Sequence, residues 1–232
     1  MSGLKPNGYR QSVKRLRKIW AIVRLLERTF IRIGNEEYAR ENKSFGLTTL
    51  KNRHVTVNGV KVQFRFRGKS GRHHEVDVAD GRVAKVIAKC QDLPGQDLFQ
   101  YFDENGEVQN VTSQDVNEYL RQIAGEDFTA KDFRTWGGTV LAAIALSAQQ
   151  EFETKKQAKS NIKTAMCAVA ELLANTPAIC RKCYVHPVIV EAYLNRTRIV
   201  GLNAATQRPK QFDLRGAERA VLKFLRARGA AE

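Results

Sequence analysis

Residues 55–78 read VTVNGVKVQFRFRGKSGRHHEVDV. Apolar side chains alternate at Val55 and Val57, and again at Val60, Val62, Phe64 and Phe66. A period of two is the mark of a half-buried strand. Asn58-Gly59 between the two runs predicts a type I′ turn, because asparagine and glycine tolerate the positive φ that this turn needs. Gly68-Lys69-Ser70-Gly71 predicts a second turn, and Glu75 to Val78 a third strand. The stretch is a small antiparallel three-stranded β-meander.

On both sides the period changes to that of a helix. From Arg10 to Ile33 the apolar positions Val13, Leu16, Ile19, Trp20, Val23 and Leu26 recur at three- and four-residue steps, with basic residues opposite. This helix is expected to end near Gly34, and a short one to follow over Glu36–Asn42. After the meander come a helix over 82–93, then Val116–Ile123 capped by Ser113 and stopped by Gly125. Thr129-x-x-Asp132 reads as a capping box opening a helix that runs to Ser147. The Gly137-Gly138 pair inside it is costly in a helix and suggests a kink or the close approach of a binding partner. Lys155–Ala174 is helical, with Ile162, Ala165, Met166, Val169 and Leu173 on one face. Thr176-Pro177 and His186-Pro187 each open a short helix, and Asp213–Arg228 is a final basic one. The class is mostly α (α+β). Residues 1–9, with Gly3, Pro6 and Gly8, are expected to be a flexible start, and 10–232 one domain.

Charge narrows the function. Lys plus Arg number 39 against 24 Asp plus Glu, a net charge of +15. Residues 1–32 hold nine Lys/Arg with Glu27 as the lone acid, and residues 195–232 hold nine against Asp213, Glu218 and Glu232. Such an excess favours a polyanion, nucleic acid before anionic membrane. No apolar run approaches a membrane span, and Met1–Gly8 lacks the apolar core of a signal peptide. A soluble, cytoplasmic protein is expected.

Several chemistries lack their residues. Cys180-x-x-Cys183 has no second ligand pair, since Cys90 and Cys167 do not form one and the histidines give no His-x3–5-His. Reduced, unpaired thiols and no metal are expected. Gly68-Lys69-Ser70 resembles the end of a P-loop, but Gln63 stands where its first glycine is required, so no nucleotide cofactor is expected. There is no G-x-S-x-G and no acidic cluster of the two-metal kind. A protein that acts on phosphodiesters with this set must neutralise the phosphoryl oxygens with cationic side chains and hold the broken end covalently.

Five segments resemble the type IB DNA topoisomerases of bacteria and poxviruses. They are FIRIGNEEY (30–38) with FGLTTLKNRH (45–54), FRGKSG (66–71), KDFRTW (131–136) and NTPAICRKCY (175–184). The resemblance runs in the family's order from about Ala21 to Leu194. It implies that Tyr184 is a nucleophile forming a 3′-phosphotyrosine link. Arg32 and Arg134 contact the non-bridging oxygens, and Lys69 protonates the 5′-oxygen, aided by Arg32. Asn175 stands where poxviral members carry a histidine. Tyr38, Thr49 and Lys131 match DNA-contacting positions. Duplex DNA is the implied partner, with no cofactor, acted on by a monomer. The small β-rich domain that precedes this region in the family is expected to be absent. Tyrosine recombinases share the Arg, Lys, Arg, Tyr set, but usually show H-x-x-R where this chain has Lys131-x-x-Arg134. A non-catalytic basic DNA-binding protein would bind supercoiled DNA and leave its linking number unchanged.

Overall fold

In the computed structural model, residues 6–125, 127–202 and 214–229 are described, with side chains from residue 13 onward. They form a mostly α-helical structure with a small antiparallel three-stranded sheet. The chain divides into two compact units, residues 1–131 and 132–232. No described helix is long and apolar enough to cross a membrane.

The first unit opens with α1 (Pro6–Thr29). The expected flexible start is therefore helical from Pro6, a residue whose missing N–H costs nothing in a first turn. Its earlier part, residues 1–5, lies outside the described residues. The helix also stops before Gly34. Thr29 Oγ1 donates to Leu25 O (2.7 Å) and accepts from Ile31 N (3.2 Å), and Phe30 turns to φ 54. The buried stripe differs from the expected one. Ile19, Ile22, Leu25 and Leu26 are buried, whereas Leu16 is 44% exposed. The reason is that α1 packs on both α3 and α4, so its covered arc is wider than one stripe.

The meander is β1 (Val55–Asn58), β2 (Lys61–Arg67) and β3 (His73–Ala79), in spatial order β1-β2-β3. Val62, Phe64 and Phe66 are buried, and the residues between them face outward. The first turn is displaced by one residue from the expected position. Asn58 pairs with Lys61, which leaves Gly59 and Val60 as the loop. Of these Gly59 takes a positive φ, 58°, and Val60 does not. A β-branched residue resists that region, so the type I′ form is not made. The third strand begins at His73 and is longer than the sequence indicated.

Between α2 (Glu36–Asn42), α3 (Gly81–Gln91) and α4 (Ser113–Ala124) the unit also contains a hairpin that the sequence reading missed. It joins β4 (Gln100–Phe102) to β5 (Val108–Asn110). Its turn is built by Asp103, whose Oδ1 accepts from Asn105 N and Glu107 N, both at 2.9 Å. The cap of α4 is Thr112, not Ser113: Thr112 and Asp115 bond each other's backbone N–H in a capping box.

The second unit is helical: α5 (Ala130–Ser147), α6 (Lys155–Leu172), α7 (Pro177–Cys183), α8 (Pro187–Leu194) and α9 (Arg215–Gly229). Thr154, Thr176 and His186 cap α6, α7 and α8 with side-chain acceptors. Asp213, the expected first residue of α9, lies outside the described residues. Helix α5 runs through Gly137-Gly138 without a break. The glycines therefore do not interrupt it.

Candidate active site

In the first unit Arg32 lies beyond α1, on an extended segment held by its backbone. Leu47 N donates to Arg32 O (2.9 Å) and Thr48 N to Ile33 O (2.7 Å), with Thr48 Oγ1 on the same oxygen at 3.0 Å. Gly46 lies directly beneath this segment. A Cβ on it would stand 2.6 Å from Arg32 O and 2.5 Å from Gly34 Cα, so only glycine fits. Thr49 is buried, and its hydroxyl bonds Gly46 twice, accepting from N at 2.9 Å and donating to O at 3.1 Å. The structure thus places Thr49 as a brace of the loop that supports Arg32.

Asn35 caps α2, its Oδ1 accepting from Tyr38 N at 2.8 Å. This presents the Tyr38 ring toward Lys69, whose Nζ lies 5.4 Å from the ring centroid. A cation over an aromatic face at this range is held by about 0.5–1 kcal/mol at an exposed site. Lys69 is exposed in the turn between β2 and β3. Phe45 N donates to Arg67 O at 2.8 Å, so the loop beneath Arg32 is also hydrogen-bonded to the end of β2. Lys131 is exposed in the first turn of α5.

In the second unit Arg134 is 3% exposed. Its Nη2 donates to Leu173 O at 2.8 Å, and its guanidinium lies 5.1 Å over the Tyr184 ring. Leu173 closes α6. Ala174 reverses the chain at φ 46, and Asn175 N returns to Ala170 O at 2.8 Å. Asn175 Oδ1 accepts from Thr176 N at 3.0 Å, which directs the oxygen onto its own segment. Tyr184 ends α7 half-buried, its N–H on Cys180 O at 3.0 Å. Arg134 therefore touches both the Tyr184 ring and the turn leading to Asn175.

One contributor was not foreseen. Thr139 Oγ1 sits between Tyr184 O (3.3 Å) and Thr135 O (2.9 Å), and accepts from His186 N at 3.1 Å. Gly138, one residue earlier, faces the Tyr184 backbone, where a Cβ would meet the carbonyl oxygen at 2.7 Å. Arg134 and Gly138 are four apart on α5, as are Thr135 and Thr139, so one helical strip carries this apparatus. The sequence showed an expensive glycine pair and not its cause.

All four cysteines are free, with Cys180 buried and Cys183 exposed. Among the described residues no three His, Cys, Asp or Glu side chains gather into a group that could hold a metal ion.

The model of the family described as "Eukaryotic DNA topoisomerase I, catalytic core" matches residues 7–211. The chain is 34% identical over 172 residues to the DNA topoisomerase 1B of Acanthamoeba polyphaga mimivirus, covering 71% of this chain and 51% of the viral protein. It is 26% identical over 174 residues to the DNA topoisomerase 1B of Vaccinia virus (strain Copenhagen), covering 74% of this chain and 52% of that protein. For the DNA topoisomerase I of Monkeypox virus the identity is 27%, with the same coverage. The chain spans about half the length of the curated relatives it matches.

Proposed function

We propose that this chain, which belongs to the family of the eukaryotic DNA topoisomerase I catalytic core, breaks and reseals one strand of duplex DNA by the type IB route, without metal or nucleotide. The observation that carries this reading is the guanidinium of a buried Arg134 lying over the Tyr184 ring, in a chain whose family match spans both residues.

In this reaction the Tyr184 hydroxyl gives its proton to solvent, its oxygen bonds to phosphorus, and the bond from phosphorus to the 5′-oxygen breaks. The product is a 3′-phosphotyrosine and a free 5′-hydroxyl. Tyrosine, with a pKa near 10 in solution, is a weak nucleophile and a good leaving group relative to an alkoxide, so the reverse attack reseals the strand. One phosphoester replaces another, and no ATP is consumed. Arg32 and Arg134 serve the non-bridging oxygens, for which the planar, permanently charged guanidinium is suited. Asn175 supplies an amide N–H to a phosphoryl oxygen. Lys69 gives its proton to the departing 5′-oxygen. Tyr38 and Lys131 contact the DNA backbone, and Thr49 contributes by bracing the Arg32 loop. The protein acts as a monomer.

The test is relaxation of supercoiled plasmid in EDTA without nucleotide, with detergent trapping of covalent protein–DNA adducts. Relaxed topoisomers and an adduct are expected. A basic DNA-binding protein without chemistry would leave the linking number unchanged and give no adduct. Strict metal dependence would remove the type IB assignment.

A further inference from the structure

The turn that carries Lys69 is closed by its own hydrogen bonds, from Gly68 N to Arg72 O (2.7 Å) and from Gly71 N to Gly68 O (3.1 Å). Ser70 and Gly71 both take the left-handed region, at φ 61 and 72. These bonds shape the loop, and the β2–β3 ladder pairs Arg67 with His73 at its base. A ring from the neighbouring strand adds to this. His74 stands opposite Phe66 in the β2–β3 register, and the two rings stack in parallel with centroids 4.8 Å apart. The His74 ring extends from there over Gly68, where a Cβ would lie 2.6 Å from its Cδ2 and Nε2. The stack is anchored below. Phe66 is 5% exposed, His54 lies 6.4 Å from it, and Phe45 lies 4.5 Å from His54. A ladder of four rings runs from the loop beneath Arg32 to the backbone immediately before Lys69.

The geometry points to His74 as a positioning residue for Lys69: its ring, stacked on Phe66, is the wall against which Gly68 rests, and so sets the place from which Lys69 reaches the leaving oxygen. This rests on the reading of Lys69 as the acid that protonates that oxygen. The stacking requirement is steric. It asks for a flat ring at residue 74 and for no side chain at residue 68. Displacing a catalytic group by about 1 Å costs on the order of 100-fold in rate.

The experiment is single-turnover cleavage of a normal 5′-oxygen substrate beside a 5′-bridging sulfur substrate, whose thiolate leaves without a proton. DNA affinity and melting temperature are measured for each variant. His74→Ala is expected to slow cleavage of the oxygen substrate on the order of 10- to 100-fold and to return to within about threefold of the parent on sulfur. His74→Phe, which keeps the ring, is expected to stay within about threefold of the parent on both. Gly68→Ala should show the same sulfur rescue, and combined with His74→Ala it should cost no more than His74→Ala alone, because the ring it strikes is gone. Lys69→Ala is the reference. If it is rescued by sulfur while His74→Ala is slowed equally on both substrates, or not slowed at all, the positioning role is overturned and the acid assignment stands. If Lys69→Ala itself is not rescued, both fail. Should His74→Ala not fold, a His74→Phe variant that is slow on oxygen would overturn the proposal by itself.

Discussion

Gly138 lies so close beneath Tyr184 that a Cβ on it would stand 2.7 Å from the Tyr184 carbonyl oxygen and 3.0 Å from its Cβ. The neighbour is backbone, which cannot swing aside as the end of a long side chain can. Gly138→Ala would gain about 1 kcal/mol of helix propensity. Forcing an extra methyl into a filled position costs about 1–3 kcal/mol. The clash is expected to win, lowering the melting temperature and slowing covalent adduct formation by more than about tenfold. An alanine variant as stable and as fast as the parent would show that the contact relaxes freely.

Tyr184→Phe removes one hydroxyl and leaves the ring beneath Arg134. We expect no covalent adduct and no relaxation, with DNA affinity within about threefold of the parent, since the basic surface is untouched. An adduct formed by the phenylalanine variant would place the nucleophile elsewhere.

On the proposed mechanism Arg134 supplies charge at the phosphate, besides donating to Leu173 O. Lysine restores the charge without the fork. Arg134→Ala should cost on the order of 100- to 1000-fold in cleavage rate, as removal of an electrostatic stabiliser does. Arg134→Lys should fall between it and the parent. Parental rates for the alanine variant would remove Arg134 from the chemistry.

His54 is held below its ordinary pKa of 6.5, first by burial and then by the charges of Arg53 and Lys51. Its Nδ1 accepts from Lys51 N at 3.1 Å, which requires the neutral ring. The unfolded chain therefore takes up the proton first as pH falls. The stability His54 contributes is fully present above about pH 6.5 and is lost on descending through that value toward its folded-state pKa. Urea midpoints between about pH 7 and about pH 5 should fall less steeply for His54→Asn, whose amide oxygen can accept the same N–H without titrating. Equal slopes would show that His54 does not control this range.

The meander was legible because alternation is local, and it placed Lys69 in its turn. The β4–β5 hairpin was not, although Asn105-Gly106 offers the same glycine signal as Asn58-Gly59. Its strands are three residues each, too short to display a period. Arg32 was expected at a helix end because Ile31 and Ile33 prolong the apolar spacing, whereas Thr29 and Phe30 end the helix through a hydroxyl bond and a positive φ. The roles of Gly138 and Thr139 depend on a partner far along the chain, and no local pattern announces it. Thr49 shows the converse. Its segment stands out in the sequence, yet its hydroxyl is occupied by Gly46. The segment's backbone and the Thr48 hydroxyl also bond Arg32 O and Ile33 O.

The hydroxyl of Thr139 between Tyr184 O and His186 N has a mechanical consequence. On the proposed mechanism, a pull on a DNA end joined to Tyr184 would pass through one side chain to the backbone at the close of α7, a helix of seven residues. A helix of this length is marginally stable in isolation. The threonine joint passes the tension to α5, which is 18 residues long and carries Arg134 on the same strip. On that reading the helix that holds the proposed phosphate-binding arginine would also bear the load on the proposed nucleophile.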